Sequence, residues 1–138
     1  MDNLDKRERS ENMRRIRSRD TAPEMVVRSL VHGMGFRYRL HCAELPGKPD
    51  LVFPRLGKII EVRGCFWHQH RGCVDSHVPK SRPEYWKPKL LRNAARDLRN
   101  ARALRRAGWR LLTVWACQTE GRKATGLAVR LRGFLEKS

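Results

Sequence analysis

Ten consecutive residues, GCFWHQHRGC from Gly64 to Cys73, bring two cysteines and two histidines within reach of one another. Thiolates and imidazoles at such spacing are metal donors. Cys65, His70 and Cys73, joined by the later Cys117, make a Cys3His set, the composition of a closed structural zinc centre. Cys42 and His77 are rival donors, with Cys42 read as a free thiol. A second group is harder in its chemistry. In PDLVFPRLGKIIEVR, Asp50 opens one apolar stretch, Glu61 stands near the end of the next, and Arg63 follows two residues on. Strand side chains alternate, so 61 and 63 share a face, and a hairpin can bring Asp50 to them. Carboxylate oxygens suit magnesium, and a cation beside them suits hydrolysis of a phosphodiester. Thiolates prefer zinc, so the two sets take different ions.

The elements that must hold these groups follow from apolar spacing and turn residues. TAPE reads as a helix start, with Thr21 as N-cap, Pro23 in the first turn and Glu24 at the capping-box position. That helix carries Met25, Val26, Leu30 and Val31 and should stop near Gly33 and Gly35. FRYRL, residues 36–40, alternates as a half-buried strand does. LVF and KIIEV, divided at Gly57, predict an antiparallel hairpin. After the Cys/His segment, VDSHVPKSRPEYW reads as a loop broken by Pro79 and Pro83. From Pro88 to Ala107, Leu90, Leu91, Ala94, Ala95, Leu98, Ala101 and Leu104 recur at helical spacing, opposite Arg92, Arg96, Arg99 and Arg102. WRLLTVW reads as a buried strand, and GLAVRLRGFLEK as a last helix. The order α-β-β-loop-α-β-α predicts one α/β (α+β) domain, a central mixed sheet flanked by helices.

Composition narrows the partner. Thirty-one Lys and Arg against fourteen Asp and Glu leave a net charge of +17 on 138 residues. A small domain this basic is expected to meet a polyanion, with nucleic acid foremost. No apolar run approaches the roughly 20 residues of a membrane span, and the N-terminus has no apolar stretch to serve as a signal peptide. Residues 1–20 are polar and basic and read as a DNA-binding arm, ahead of a domain over 21–138. Arg14, Arg15, Arg17 and Arg19 of the arm, with Lys80 and Lys89, are expected phosphate contacts.

The motifs NMRRIRSRDTAPE, LPGKPDLVF, GCFWHQH, VPKSRPEYW, RNAARD and GWRLLTVWAC stand in the order and spacing of very short patch repair (Vsr) endonucleases. The chain resembles that family over roughly residues 8 to 120. Its acid pair resembles the PD-(D/E)XK nuclease core, with Arg63 in place of the lysine. The resemblance implies a restriction-endonuclease-like fold with catalytic magnesium and structural zinc. It implies an enzyme that recognises a T:G mismatch left by deamination of 5-methylcytosine and nicks the strand 5′ of the mispaired thymine. Double-stranded DNA would be the partner of a monomer in the bacterial cytoplasm, at the nucleoid, with repair and methyltransferase proteins as functional associates.

Residue by residue, Asp50 matches the family's magnesium-binding aspartate and Val62 the residue lending a backbone carbonyl. His68 matches the histidine that activates the attacking water, and Asp97 the acid supporting it. Glu24 matches a glutamate placed near the site through water, although it could simply close a capping box. Phe66, Trp67 and Trp86 match a wedge entering the base stack, and Met13 a residue in the other groove. Trp86 could equally be core, and Asp97 a helix-surface carboxylate. The departure is Arg63, where the family has a histidine or an acid. A permanent cation there would bind the scissile phosphate; the rival readings are a weakened enzyme, a silent DNA-binding module, or a related nuclease with another target.

Overall fold

A computed structural model describes residues 20–137 of the chain. Met13, Arg14, Arg15, Arg17 and Arg19, and with them all of the expected arm but Asp20, lie outside the described residues. Helix α1 spans Ala22–Gly33, β1 Arg39–Leu40, β2 Leu51–Phe53 and β3 Lys58–Arg63. Helix α2 spans Pro83–Arg106, β4 Arg110–Trp115 and α3 Lys123–Glu136. The strands form one sheet in the order β1-β2-β3-β4, antiparallel up to β3 and parallel between β3 and β4. The mixed sheet and flanking helices are those the sequence predicts.

Side-chain alternation divides the sheet into two faces. Leu51, Phe53, Ile60 and Val114 face one way and pack with Val27 and Val31 of α1 and Leu127, Leu131 and Leu135 of α3. Each fully buried leucine of this kind contributes about 1.5–3 kcal/mol relative to an exposed one. On the other face Val52 and Ile59 pack with Leu104 of α2 and with Cys42. Glu61, Arg63, Thr113 and Trp115 have the parity of Ile59 and Leu111, so they share the face that α2 covers. A buried lysine locks the far end. Lys58 Nζ donates to Phe134 O at 2.6 Å, to Leu135 O at 3.3 Å, and to Lys137 O, satisfying carbonyls that the end of α3 leaves open.

Local expectations change in four places. The strand at FRYRL shortens to Arg39–Leu40, while Phe36 and Tyr38 pack against the larger core. In α1 the buried positions are Glu24, Val27 and Val31, and Met25 faces outward at 46% exposure. Helix α2 begins at Pro83, five residues before Pro88. Pro83 needs no hydrogen bond in the first turn, whereas Pro88 forfeits one inside the helix. The burial of Leu90 and Asn93 fixes this part of the helix against the fold. Strand β4, read as buried, is an edge strand in which only Val114 is fully enclosed. An apolar run alone does not distinguish the two positions.

Helix α2 also departs from a simple buried stripe. Leu90 and Leu104 are buried, but Leu91 and Leu98 are 70% and 51% exposed. Between the helix and the sheet lies a cleft of about 510 Å³, walled by Ala94, Leu98 and Ala101 and reached by Arg63, His68 and Asp97. The loop before β2 is pressed against the same helix at Gly47, whose φ is +79°. A Cβ there would sit 2.8 Å from the Asn100 side chain, so this position needs glycine on two counts.

Candidate active site and metal cluster

The acid group assembles at the open end of the β2–β3 ladder. Leu51 pairs with Ile60, so the next residues outward are Asp50 and Glu61. There the Asp50 side chain replaces the missing strand: its Oδ2 accepts the Val62 N–H at 2.7 Å. Burial pushes the Asp50 carboxyl up to about 7; the Val62 N–H pulls it down, and the charges of Glu24 and Glu61 push it up again. A crowded carboxylate held in this way is a fit place for a divalent cation, whose charge reverses the crowding. The expected group thus converges: Asp50, Glu61, Val62 and Glu24 lie together.

Glu24 resolves one alternative. Thr21 Oγ1 does accept the Glu24 N–H at 3.4 Å, as an N-cap should. The Glu24 carboxylate, however, is buried and turns to Arg28 at 3.4 Å and to His41 at 3.1 Å. His41, absent from the sequence reading, stands between α1 and Asp50, with Nδ1 3.8 Å from Asp50 Oδ1. Only the hairpin arithmetic could have found it, since residue 41 lies directly across from residue 50.

Arg63 does share its face with Glu61, and its Nη2 lies 2.5 Å from Glu61 Oε2. The guanidinium retains donors beyond that pair, since Arg carries five. His68 Nδ1 lies 2.6 Å from Asp97 Oδ2. With Nδ1–H donated to the carboxylate, Nε2 becomes the nitrogen carrying the lone pair. Asp97 is 16% exposed and tied to His68, unlike a free helix-surface acid.

The loop after β3 brings the soft donors together. Cys65 Sγ and Cys117 Sγ lie 3.6 and 3.5 Å from His70 Nδ1. The donor atoms of Cys65, His70, Cys73 and Cys117 all lie within 4.8 Å of one another, so the cluster can hold a metal ion. Cys42 is buried in the smaller core instead, and His77 stands outside the cluster. Trp115 stacks on the His70 ring at 4.3 Å and fixes its plane. Burial pushes the Cys65 thiol up to about 12.

Between these groups, the same loop displays aromatic rings. Phe66 lies edge-on to Trp67 at 5.0 Å and to Trp86 at 5.3 Å. Tyr85, which no sequence motif singles out, joins Trp86 at 4.9 Å and is exposed. Lys89 Nζ sits 5.6 Å from the Trp67 ring centre and 5.5 Å from that of Tyr85. Asn93 anchors the loop to α2 by donating to Trp67 O at 3.3 Å, and Arg96 holds Asn93 in turn at 2.9 Å. Trp86 is half-buried within this cluster and lies outside both hydrophobic cores. Lys80 is exposed nearby in sequence.

Comparison with known proteins places the chain among known relatives. The family model described as DNA mismatch endonuclease Vsr matches residues 1–74. The type II nicking enzyme V.XorIIP of Xanthomonas oryzae pv. oryzae is 47% identical over 99% of this chain and 98% of its own. DNA mismatch endonuclease Vsr of Escherichia coli is 44% identical over 86% of this chain and 76% of its own. The type II nicking enzyme V.NmeAIP of Neisseria meningitidis is 36% identical over 83% and 81%. With the matching motifs folded into one site, the chain belongs to the Vsr family of DNA endonucleases.

Proposed function

We propose that the protein nicks double-stranded DNA at a T:G mismatch, 5′ of the mispaired thymine, and so initiates very short patch repair. The observation that carries this reading is one short loop. Within residues 65–73 it bears the ring pair Phe66–Trp67, three donors of the metal cluster, and His68, which Asp97 of α2 holds. The rings suit a wedge between base steps, where unstacking costs a few kcal/mol and less at a mismatch. One relative is named a DNA mismatch endonuclease, which agrees with that use.

In this reading Asp50 and the Val62 carbonyl hold magnesium, and Cys65, His70, Cys73 and Cys117 hold zinc. An ion held there would supply Lewis-acid polarisation of the scissile phosphate and lower the pKa of its bound water. His68 takes the proton of the attacking water at Nε2, while Asp97 holds its tautomer through Nδ1 and stabilises the imidazolium that forms. Arg63 donates to the phosphate and Glu61 fixes its orientation. Lys89 and Lys80 contact the backbone, as do the basic residues of the arm, and their charge contributes salt-dependent affinity.

The test is a strand-specific cleavage panel with Asp50→Ala as control. The expected product is a single nick in the T strand of T:G duplexes, with magnesium and wild-type protein only. Equal cutting of matched duplexes would point to a nuclease with another target. Binding without cutting would point to a silent module.

A further inference from the structure

His41 stands where α1 meets the start of β2. Its backbone N–H donates to Asp50 O at 3.1 Å, and its φ of 46° is one that side-chain-bearing residues seldom adopt. That turn aims the imidazole between the two acids: Nε2 lies 3.1 Å from Glu24 Oε2, and Nδ1 lies 3.8 Å from Asp50 Oδ1. Nε2 is sealed from solvent yet makes no aligned hydrogen bond, so the Glu24 contact is one of proximity, off the line a ring N–H would take. Arg28, one helical turn on, also meets the Glu24 carboxylate at 3.4 Å, and Asp20 holds Arg28 at 2.7 Å while lying 3.8 Å from His41 Nε2. Both contacts fall on the same oxygen, Oε2, so Arg28 from its own helix and His41 from across the gap hold the Glu24 carboxylate together.

We propose that His41 is a positioning residue for the catalytic cation, holding the Glu24 carboxylate beside Asp50. The proposal rests on the reading that Asp50 binds magnesium. Partners that orient the ligands of an ion tune its affinity by roughly 10–100-fold. Backbone contact through Asp50 O does not depend on the imidazole, so a side-chain change at 41 leaves that bond in place.

The test is Mn²⁺ binding to the full-length, zinc-loaded protein without DNA, followed by electron paramagnetic resonance, beside thermal unfolding. His41→Ala is expected to weaken Mn²⁺ by at least tenfold, in the range such partners command. His41→Gln, whose amide N–H can reach Glu24, is expected to recover most of the loss, while both variants melt alike. Unchanged Mn²⁺ affinity in His41→Ala overturns the proposal, and so does a glutamine variant as weak as the alanine one. Loss of an equal share of binding in Asp20→Ala would make His41 a ligand of a separate centre, contrary to the positioning role. If wild type binds no Mn²⁺, or Asp50→Ala binds it as wild type does, the magnesium reading falls and takes the proposal with it.

Discussion

Two clusters of metal-seeking groups flank one short loop, and they are built on opposite plans. The cysteine cluster is closed: four donors from a loop and from the turn after β4 lie within 4.8 Å of one another. The acid cluster is open: Asp50 is steadied by a backbone N–H and Glu24 by side chains, which leaves oxygens for an outside cation. Burial raises proton affinity in both, to about 12 at Cys65 and about 7 at Asp50. A soft ion would have to displace the proton of the Cys65 thiol, whereas a carboxyl near 7 releases its proton close to neutral pH.

Breaking either cluster should have different consequences, and the largest belongs to the closed one. Cys117→Ala is expected to lose stoichiometric zinc and much of the native fold, since such binding energy is folding energy. Full zinc content by atomic absorption would contradict this assignment. Next come changes to the couple on the loop. His68→Ala is expected to slow nicking roughly 100- to 10,000-fold, the usual worth of a general base, with DNA affinity retained. A weakened affinity and an unchanged rate at saturating DNA would move His68 out of the catalytic role.

Arg63 sharpens the comparison at the hinge between the clusters. Arg63→Ala is expected to slow cleavage by at least tenfold, and Arg63→His to remain below wild type. A strong gain from histidine would mean that the Glu61 pair neutralises the guanidinium and that arginine weakens this enzyme. A subtler effect is that of pH on the open cluster. Folded Asp50 keeps its proton up to about 7 and the unfolded group loses it near 3.8, so the magnesium-free protein loses stability as pH rises across that window. Asp50→Asn should therefore gain melting temperature over wild type at pH 8 and lose that advantage near pH 5. The reverse order would mean that Asp50 is stabilised as a carboxylate. Smallest is Lys89→Ala, expected to lower the salt slope of DNA binding by about one if the lysine meets a phosphate.

Legibility in the sequence followed the range of the interactions. The cysteine set could be read because three of its members crowd nine positions and soft donors have few other uses. The Asp50–Glu61 approach followed from hairpin counting, which is local. By contrast, His68 and Asp97 are 29 positions apart, and no periodicity joins them; the family resemblance did. His41 gave no signal as a lone histidine, because its role depends on a helix residue 17 positions earlier and a strand residue nine later. Lys58 reads as a strand-end surface charge until α3 returns to be capped by it. The apolar stripe on α2 was legible as a helix but not as a cleft wall, since burial is decided by what packs opposite.

The proposed division of labour between a caged zinc and an exchangeable magnesium is tested most directly by selective chelation. Brief EDTA dialysis followed by measurement of zinc content, circular dichroism and T:G nicking reads both clusters at once. The predicted result is one retained zinc, an unchanged fold, no nicking, and full recovery with magnesium but none with added zinc. Nicking that persists without magnesium, or that is lost only in step with zinc, would contradict the account.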